Sequence, residues 1–288
     1  MEKVGIIGVG LMGHGIAMNI AKSGREVSFL DHPGNQPTDD LTTLGARAIG
    51  TGADIAKLCD VIIICVTGTP QVEDVLNCEG GVLAGISPGT VVIDCSTAIP
   101  NSTLEIAKQI EAAGGHFLDA PMTRTPKEAA EGRLNLIVGG DKALFDAQLP
   151  LFETYAENVT YVGGVGAGHT MKLIHNYVSL GFSAVLSEAA ATADKAGIDP
   201  LALLDVLQNG GGRSVVLDRF TPFLTDGDPS GLAFSLSNAA KDISYYQAMS
   251  DYLEMAGNVS FAVAGVYADT EAKGEGNRYV PELISLLK

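Results

Sequence analysis

The stretch GVGAGHTMKLIHNYVSLGFSAVLSEAAATADKAG sets Lys172, Asn176, Ser179 and Ser183 at i, i+4, i+7 and i+11 in an otherwise apolar run. That spacing predicts one long helix with a single polar stripe, and His175 stands beside it. An ammonium group heading such a stripe on an apolar helix is costly unless something binds there. A lysine in this setting can exchange a proton with a substrate hydroxyl or carbonyl oxygen, especially if burial lowers its pKa. Asn176, one turn on, can bond to the same substrate or hold the amine. Spacing alone leaves an equal alternative, in which Lys172 snorkels to solvent and Asn176 is satisfied locally.

A second chemical signal lies near the start of the chain. Residues 5–14 read GIIGVGLMGH, so Gly8, Gly10 and Gly13 form G-x-G-x-x-G with Val9, Leu11 and Met12 between them. The motif follows a strand-like run and opens a helical one, which turns backbone N–H groups toward a pyrophosphate. Gly8 permits the tight turn, Gly10 the approach of the phosphates, and Gly13 close helix–strand packing. The alternative is a glycine turn with no ligand. Asp31 ends the next strand, eighteen residues past Gly13. Its carboxylate can accept from an adenosine ribose and repels a 2′-phosphate, which favours NAD over NADP.

Both signals need elements to position them. Short β-branched runs at KVGIIGV, EVSFLD, VIIICV (61–66), TVVIDCS (90–96), HFLDAP (116–121) and LNLIVGG (134–140) alternate with helical stretches that end in glycine. Strands of this kind with helical crossovers predict a doubly wound, mostly parallel sheet in an α/β fold. After Gly163 the texture changes to Ala- and Leu-rich helices at 167–196, 200–209, 236–256 and 258–273. The chain is therefore expected to comprise an α/β domain over 1–163 and an all-α domain over 164–288.

Composition narrows the partners. The formal net charge is −16 over 288 residues, which disfavours nucleic acid and anionic membranes. An anionic ligand would need a local cluster of positive groups. Cys59, Cys65, Cys78 and Cys95 show no metal spacing and read as buried free thiols of a reducing cytosol, with Cys65 and Cys95 inside strands. DGDPSG is too short for a calcium loop, so no metal is expected. No signal peptide and no membrane-spanning run is read, and the expected location is the cytoplasm.

The motifs GIIGVGLMGHGIAMNIAKSG, DCSTAIP, DAPMTRTPKEAAEGRLNLIVGGD, GVGAGHTMKLIHNYVS and LSNAAKDISY occur in an order that resembles the β-hydroxyacid dehydrogenases, relatives of 3-hydroxyisobutyrate dehydrogenase and tartronate semialdehyde reductase. The resemblance implies a Rossmann-type NAD-binding domain, an all-helical second domain, and assembly as a homodimer or homotetramer. It implies that Lys172 is the acid/base and Asn176 its neighbour in the site. Val66, Thr67 and Thr97 would line the cofactor cleft, Ser96 and Ser214 would lie near the substrate, and Lys241 would serve both cofactor and substrate. Imine reductases share the architecture but usually lack this lysine; a non-catalytic NAD-binding module would also have lost it.

One stretch departs from the family pattern. Where relatives often read D-A-P-V-S-G-G, this chain has Thr123, Arg124 and Thr125. A loop without those glycines is expected to lose any backbone nest that needs positive φ. Arg124 instead offers forked donors to carboxylate, sulfonate or phosphate oxygens. Its alternative is a surface pair with Glu128 or Glu131. The Arg-Thr pair resembles the sulfolactaldehyde-reducing branch of the family, although His175 replaces an asparagine of that branch. The expected substrate is a small β-hydroxy acid or hydroxysulfonate with a strong anion, sulfolactaldehyde-like, or its semialdehyde, with Thr123, Arg124, Thr125, His175 and Ser179 around the anion. The alternative is a 3-hydroxyisobutyrate or tartronate semialdehyde type carboxylate. His14 and Gly15 read as helix-start variation, and His169 as a cap of the long helix.

Overall fold

The computed structural model describes residues 2–288. The chain divides into two compact units, one running to Lys172 and the other spanning Leu173–Lys288. Among the described residues the first unit carries nine strands: β1 (Val4–Ile7), β2 (Val27–Leu30), β3 (Arg47–Ile49), β4 (Val61–Ile64), β5 (Val91–Asp94), β6 (His116–Asp119), β7 (Met122–Thr123), β8 (Leu134–Gly140) and β9 (Ala156–Gly163). They form one sheet ordered β3-β2-β1-β4-β5-β6-β8-β7, with β9 beside β8. The pairings from β3 through β6 are parallel, β8 runs antiparallel to β6 and β7, and β9 is parallel to β8.

Alternation along β4 explains why this half is doubly wound. Val61 and Ile63 join one apolar cluster with Ile16, Ile20 and Phe29, whereas Ile62 and Ile64 join another with Ile55, Val72 and Ile106. A strand whose successive side chains are all apolar must be covered on both faces. The covering helices are α1 (Gly13–Lys22), α2 (Asp39–Thr43), α3 (Gly52–Leu58), α4 (Thr69–Asn77), α5 (Pro100–Ala112), α6 (Pro126–Ala130) and α7 (Lys142–Phe152).

Helix α8 (Ala167–Lys195) starts in the first unit and continues into the second. It is followed by α9 (Pro200–Gln208), α10 (Val215–Asp226), α11 (Leu236–Tyr252), α12 (Asn258–Ala272) and α13 (Leu283–Leu286). Leu180, Leu186, Leu217, Phe220, Ile243 and Tyr267 are buried together in the second unit. The Tyr267 hydroxyl donates to the Leu180 carbonyl at 2.8 Å, and the rings of Tyr177 and Tyr246 stack at 4.0 Å, so α12 and α11 are both pinned to α8.

The elements read from the sequence are present, with additions and shifts. Strands β3, β7 and β9 and helices α10 and α13 are additions. Cys65 and Cys95 lie just past the ends of β4 and β5 rather than within them. Of the four thiols, Cys78 is exposed, which corrects the expectation that all are buried. Burial pushes the Cys65 thiol up to about 12 and that of Cys95 well above its ordinary range, so neither is poised as a thiolate nucleophile. Among the described residues no helix is long and apolar enough to cross a membrane, and no cluster of His, Cys, Asp or Glu is arranged to hold a metal.

Candidate active site

The glycine loop leaves β1 and turns into α1. Gly8 has φ +95°, and a Cβ there would overlap the Cys65 carbonyl. A Cβ on Gly13 would overlap the Gly8 carbonyl oxygen, so α1 can begin this close to the strand only with glycine. Gly10 is different: a Cβ there meets nothing within 4 Å. Two glycines therefore satisfy the protein's own packing, and the third opens onto free space, which fits a backbone cradle for a dinucleotide's phosphates. Asn35, absent from the sequence reading, braces the loop. Its Oδ1 accepts from the Val9 N–H at 3.3 Å and its amide donates to the Leu30 carbonyl at 2.8 Å. Met12 is half-buried and Leu11 exposed, and Asp31 is exposed just past β2.

Parallel strands deliver their C-terminal ends to one edge, where α/β sheets bind ligands. Val66 and Thr67 follow β4, and Ser96 and Thr97 follow β5. These two turns are tied together, because the Val66 N–H donates to the Ser96 hydroxyl at 3.0 Å. Asp94 then holds the Ser96 N–H at 2.8 Å.

The arginine-bearing turn departs from expectation. Arg124 has φ +83°, so it adopts the left-handed conformation that a glycine would supply. The expectation that this loop loses a positive-φ nest is corrected. A non-glycine residue there carries a cost of about 1–2 kcal/mol. The Arg124 Nη1 pairs with Glu157 at 2.5 Å and also donates to the Arg133 carbonyl; its partner is thus neither Glu128 nor Glu131. Glu128 serves Thr125, which caps α6 through a capping box, and that hydroxyl contact lowers the Glu128 carboxyl below its usual range. Thr123 accepts from the Asn135 amide at 3.2 Å.

Helix α6 is mounted directly on α1. A Cβ on Gly15 would lie 2.5–2.7 Å from backbone atoms of Ala129 and Ala130. The Asn19 amide donates to the carbonyls of Gly15 at 2.8 Å and Ala129 at 2.9 Å. Gly15 is thus more than helix-start variation; α6 requires it. His14 is also engaged, its Nε2 lying 3.0 Å from the Asp40 carboxylate.

On α8, Lys172 and Ser179 are half-buried while Asn176 and Ser183 are buried. Ser183 returns its hydroxyl proton to the Ser179 carbonyl at 2.9 Å, as mid-helix serines often do. Asn176 has a longer-range role. Its amide donates to Asp242 Oδ2 at 2.6 Å, and its Oδ1 contacts His175 Nδ1 at 2.9 Å. Lys241 Nζ pairs with the other Asp242 oxygen at 3.1 Å and lies 5.4 Å from the Tyr245 ring centroid. Asp242 is only 3% exposed, so a buried carboxylate joins Asn176 of α8 to Lys241 of α11. The sequence reading named His175, Asn176 and Lys241 but missed Asp242; the signal was an acid beside a lysine in the middle of a helix. Ser214 is the N-cap of α10, accepting from the Leu217 N–H at 3.0 Å.

Residues 3–163 match the family described as the NAD binding domain of 6-phosphogluconate dehydrogenase. Residues 166–287 match one described as NAD-binding of NADP-dependent 3-hydroxyisobutyrate dehydrogenase. The 2-hydroxy-3-oxopropionate reductase of Escherichia coli K12 is 38% identical over 75% of this chain and 73% of its own length. The chain belongs to the β-hydroxyacid dehydrogenase family. The 2-(hydroxymethyl)glutarate dehydrogenase of Eubacterium barkeri is 31% identical over 84% of this chain and 80% of its own. In fold the chain is similar to Mycobacterium tuberculosis 3-hydroxyisobutyrate dehydrogenase, with TM-score 0.90, 24% identity and coverage of 100% and 99% of the two chains. This β-hydroxyacid dehydrogenase is an NAD(P)-dependent oxidoreductase of the CH–OH group, converting between hydroxy acid and semialdehyde.

Proposed function

We propose that this β-hydroxyacid dehydrogenase interconverts a three- or four-carbon hydroxy acid or hydroxysulfonate and its semialdehyde, with NAD in preference to NADP. The observation that carries the reading is the polar stripe of α8, whose Asn176 is held by a buried carboxylate rather than left to solvent. The bound nicotinamide supplies the hydride acceptor at one end of the reaction and the donor at the other. Lys172 takes the hydroxyl proton during oxidation and returns it during reduction. Asn176 orients the substrate oxygen, and Asp242 fixes both Asn176 and Lys241.

Thr123, Arg124, Thr125, Ser179 and His175 receive the anionic group in this reading, with Ser96 and Lys241 beside them. The Arg124 contacts described above run through Nη1, whereas a guanidinium carries five N–H donors. The glycine loop from Gly8 to Gly13, together with Asp31, Val66, Thr67, Thr97 and Lys241, holds the dinucleotide. The functional division is set at 163/164, supported by family matches that end at 163 and resume at 166. Exposed Val178, Val185, Val259 and Phe261 on α8 and α12 support assembly as a homodimer or homotetramer. Free cysteines support a cytoplasmic setting.

The test is an NADH-absorbance screen over sulfolactaldehyde, tartronate semialdehyde and 3-hydroxyisobutyrate with the wild type and Arg124→Gly. Loss of a charge-assisted contact should raise KM for the preferred anion about tenfold or more. Thermal stability should hold, since glycine relieves the positive φ. No dependence of any KM on residue 124 would remove Arg124 from the site. Asp31→Ser should narrow the preference for NADH over NADPH by roughly tenfold. An unchanged ratio of their KM values would show that Asp31 does not read the ribose.

A further inference from the structure

We infer that His169 and Asp94 form a buried hydrogen-bonding couple that sets the lysine-bearing helix in register with the turn holding Ser96 and Thr97, and that both are positioning residues for the reaction. The inference rests on the proposed role of Lys172.

Asp94 and Asp119 end adjacent parallel strands and stand opposite each other in register. The start of α8 is pressed onto these strand ends, where a Cβ on Gly168 would lie 2.6 Å from the carbonyl oxygens of Asp119 and Ile137. Asp119 caps that start: its two oxygens accept from the N–H groups of Gly166 and His169, each at 2.8 Å. A carboxylate is well placed at the positive end of a 29-residue helix. Both Asp119 oxygens are thus held by the backbone, with His169 Nδ1 4.0 Å from Oδ2.

The His169 ring and Asp94 Oδ2 are not so held. The His169 side chain is fully buried. Its Nδ1 lies 2.7 Å from the Thr103 hydroxyl, and that hydroxyl also contacts the Ile99 carbonyl at 3.2 Å. The Ile99 carbonyl already accepts from the Thr103 N–H at 3.1 Å, so the Thr103 hydroxyl can give its single proton to Nδ1 at the shorter distance, which leaves the ring proton on Nε2. The tautomer with the proton on Nε2 is the one this network accommodates. Nε2 then faces Asp94 Oδ2 at 3.8 Å. Both atoms are buried, and neither has a hydrogen-bond partner among the described residues. Two such groups facing each other each meet the other's need once a proton lies between them and the gap closes by under an ångström. Burial raises the Asp94 carboxyl, while the nearby imidazole opposes that rise.

The couple has consequences at both ends. Asp94 Oδ1 holds the Ser96 N–H, and Ser96 in turn holds Val66. His169 lies three residues before Lys172, one turn away on the same helix. A shift of this imidazole therefore moves the amine of Lys172 relative to the turn at 95–97.

Two measurements test this. Long-range ¹H–¹⁵N correlation of the imidazoles, in a chain with five histidines, should find the ring proton of His169 on Nε2. His169→Asn supplies the assignment. Asp94→Asn should shift the His169 Nε2 resonance. A bare Nε2, or an Nε2 indifferent to Asp94→Asn, overturns the couple even if His169→Asn fails to fold. In turnover, His169→Asn should keep the NADH dissociation constant within about twofold while kcat falls ~30–100-fold, the scale of a misplacement near 1 Å. The double variant with Asp94→Asn should be no slower than the slower single one. Additive losses, or a lowered Tm with unchanged kcat, would reduce the cluster to a structural anchor. Full turnover by Lys172→Met would instead retire the lysine mechanism while leaving the ring measurement standing.

Discussion

A Lys172→Met enzyme is expected to bind NADH as the wild type does while kcat falls ~10²–10⁴-fold, the range carried by a positioned acid or base. Methionine keeps most of the apolar stem and removes the ammonium group, with its charge and its exchangeable protons. The half-buried position of Lys172 on the same helix face as Asn176 makes the packing cost small. Fluorescence titration of NADH and turnover of the preferred semialdehyde measure the two quantities separately. Turnover within tenfold of wild type would show that another group moves the proton. Parallel loss of NADH binding would show that the residue supports the fold or the cofactor instead.

The glycine loop predicts an effect of comparable size with a different signature. Gly13→Ala places a methyl on the Gly8 carbonyl, a backbone clash that no side-chain rotation relieves. It should lower unfolding stability by roughly 3 kcal/mol and abolish measurable NADH binding. Gly10→Ala separates packing from ligand contact, because its Cβ has open space around it. That variant should unfold at the wild-type urea midpoint yet bind NADH at least tenfold more weakly, since the phosphates need that space. Wild-type affinity in Gly10→Ala would mean that the loop is a turn and nothing more.

The glycine loop and the lysine helix were legible because both are local. G-x-G-x-x-G spans six residues, and the polar stripe repeats with the helical period, so neither needs tertiary information. Strand β9 was not legible: AENVTYVG is exposed or half-buried at most of its positions and so lacks an apolar run. Helix α10 carries Pro222 inside it and follows the glycine-rich QNGGGRS, and both interrupt a helical pattern. The site's connections were hidden for another reason. Asp242 meets Asn176 across a separation of 66 residues, and Thr103 meets His169 across the same span. No spacing rule reaches that far. The positive φ of Arg124 is the instructive miss, because residue type argued for a different backbone and the surrounding pairing to Glu157 and Arg133 overrode it.

The contact of Gly15 and Asn19 with the carbonyl end of α6 makes one lever of two recognition tasks. The helix that the proposed reading places beneath the dinucleotide also carries, on its flank, the short segment that follows the turn proposed to face the anion. A methyl group grafted at position 15 would push that segment outward and so alter head-group selectivity without any change within 123–125. Efforts to retune this enzyme for a bulkier acid thus have a handle in α1, remote in sequence from the residues proposed to receive the acid.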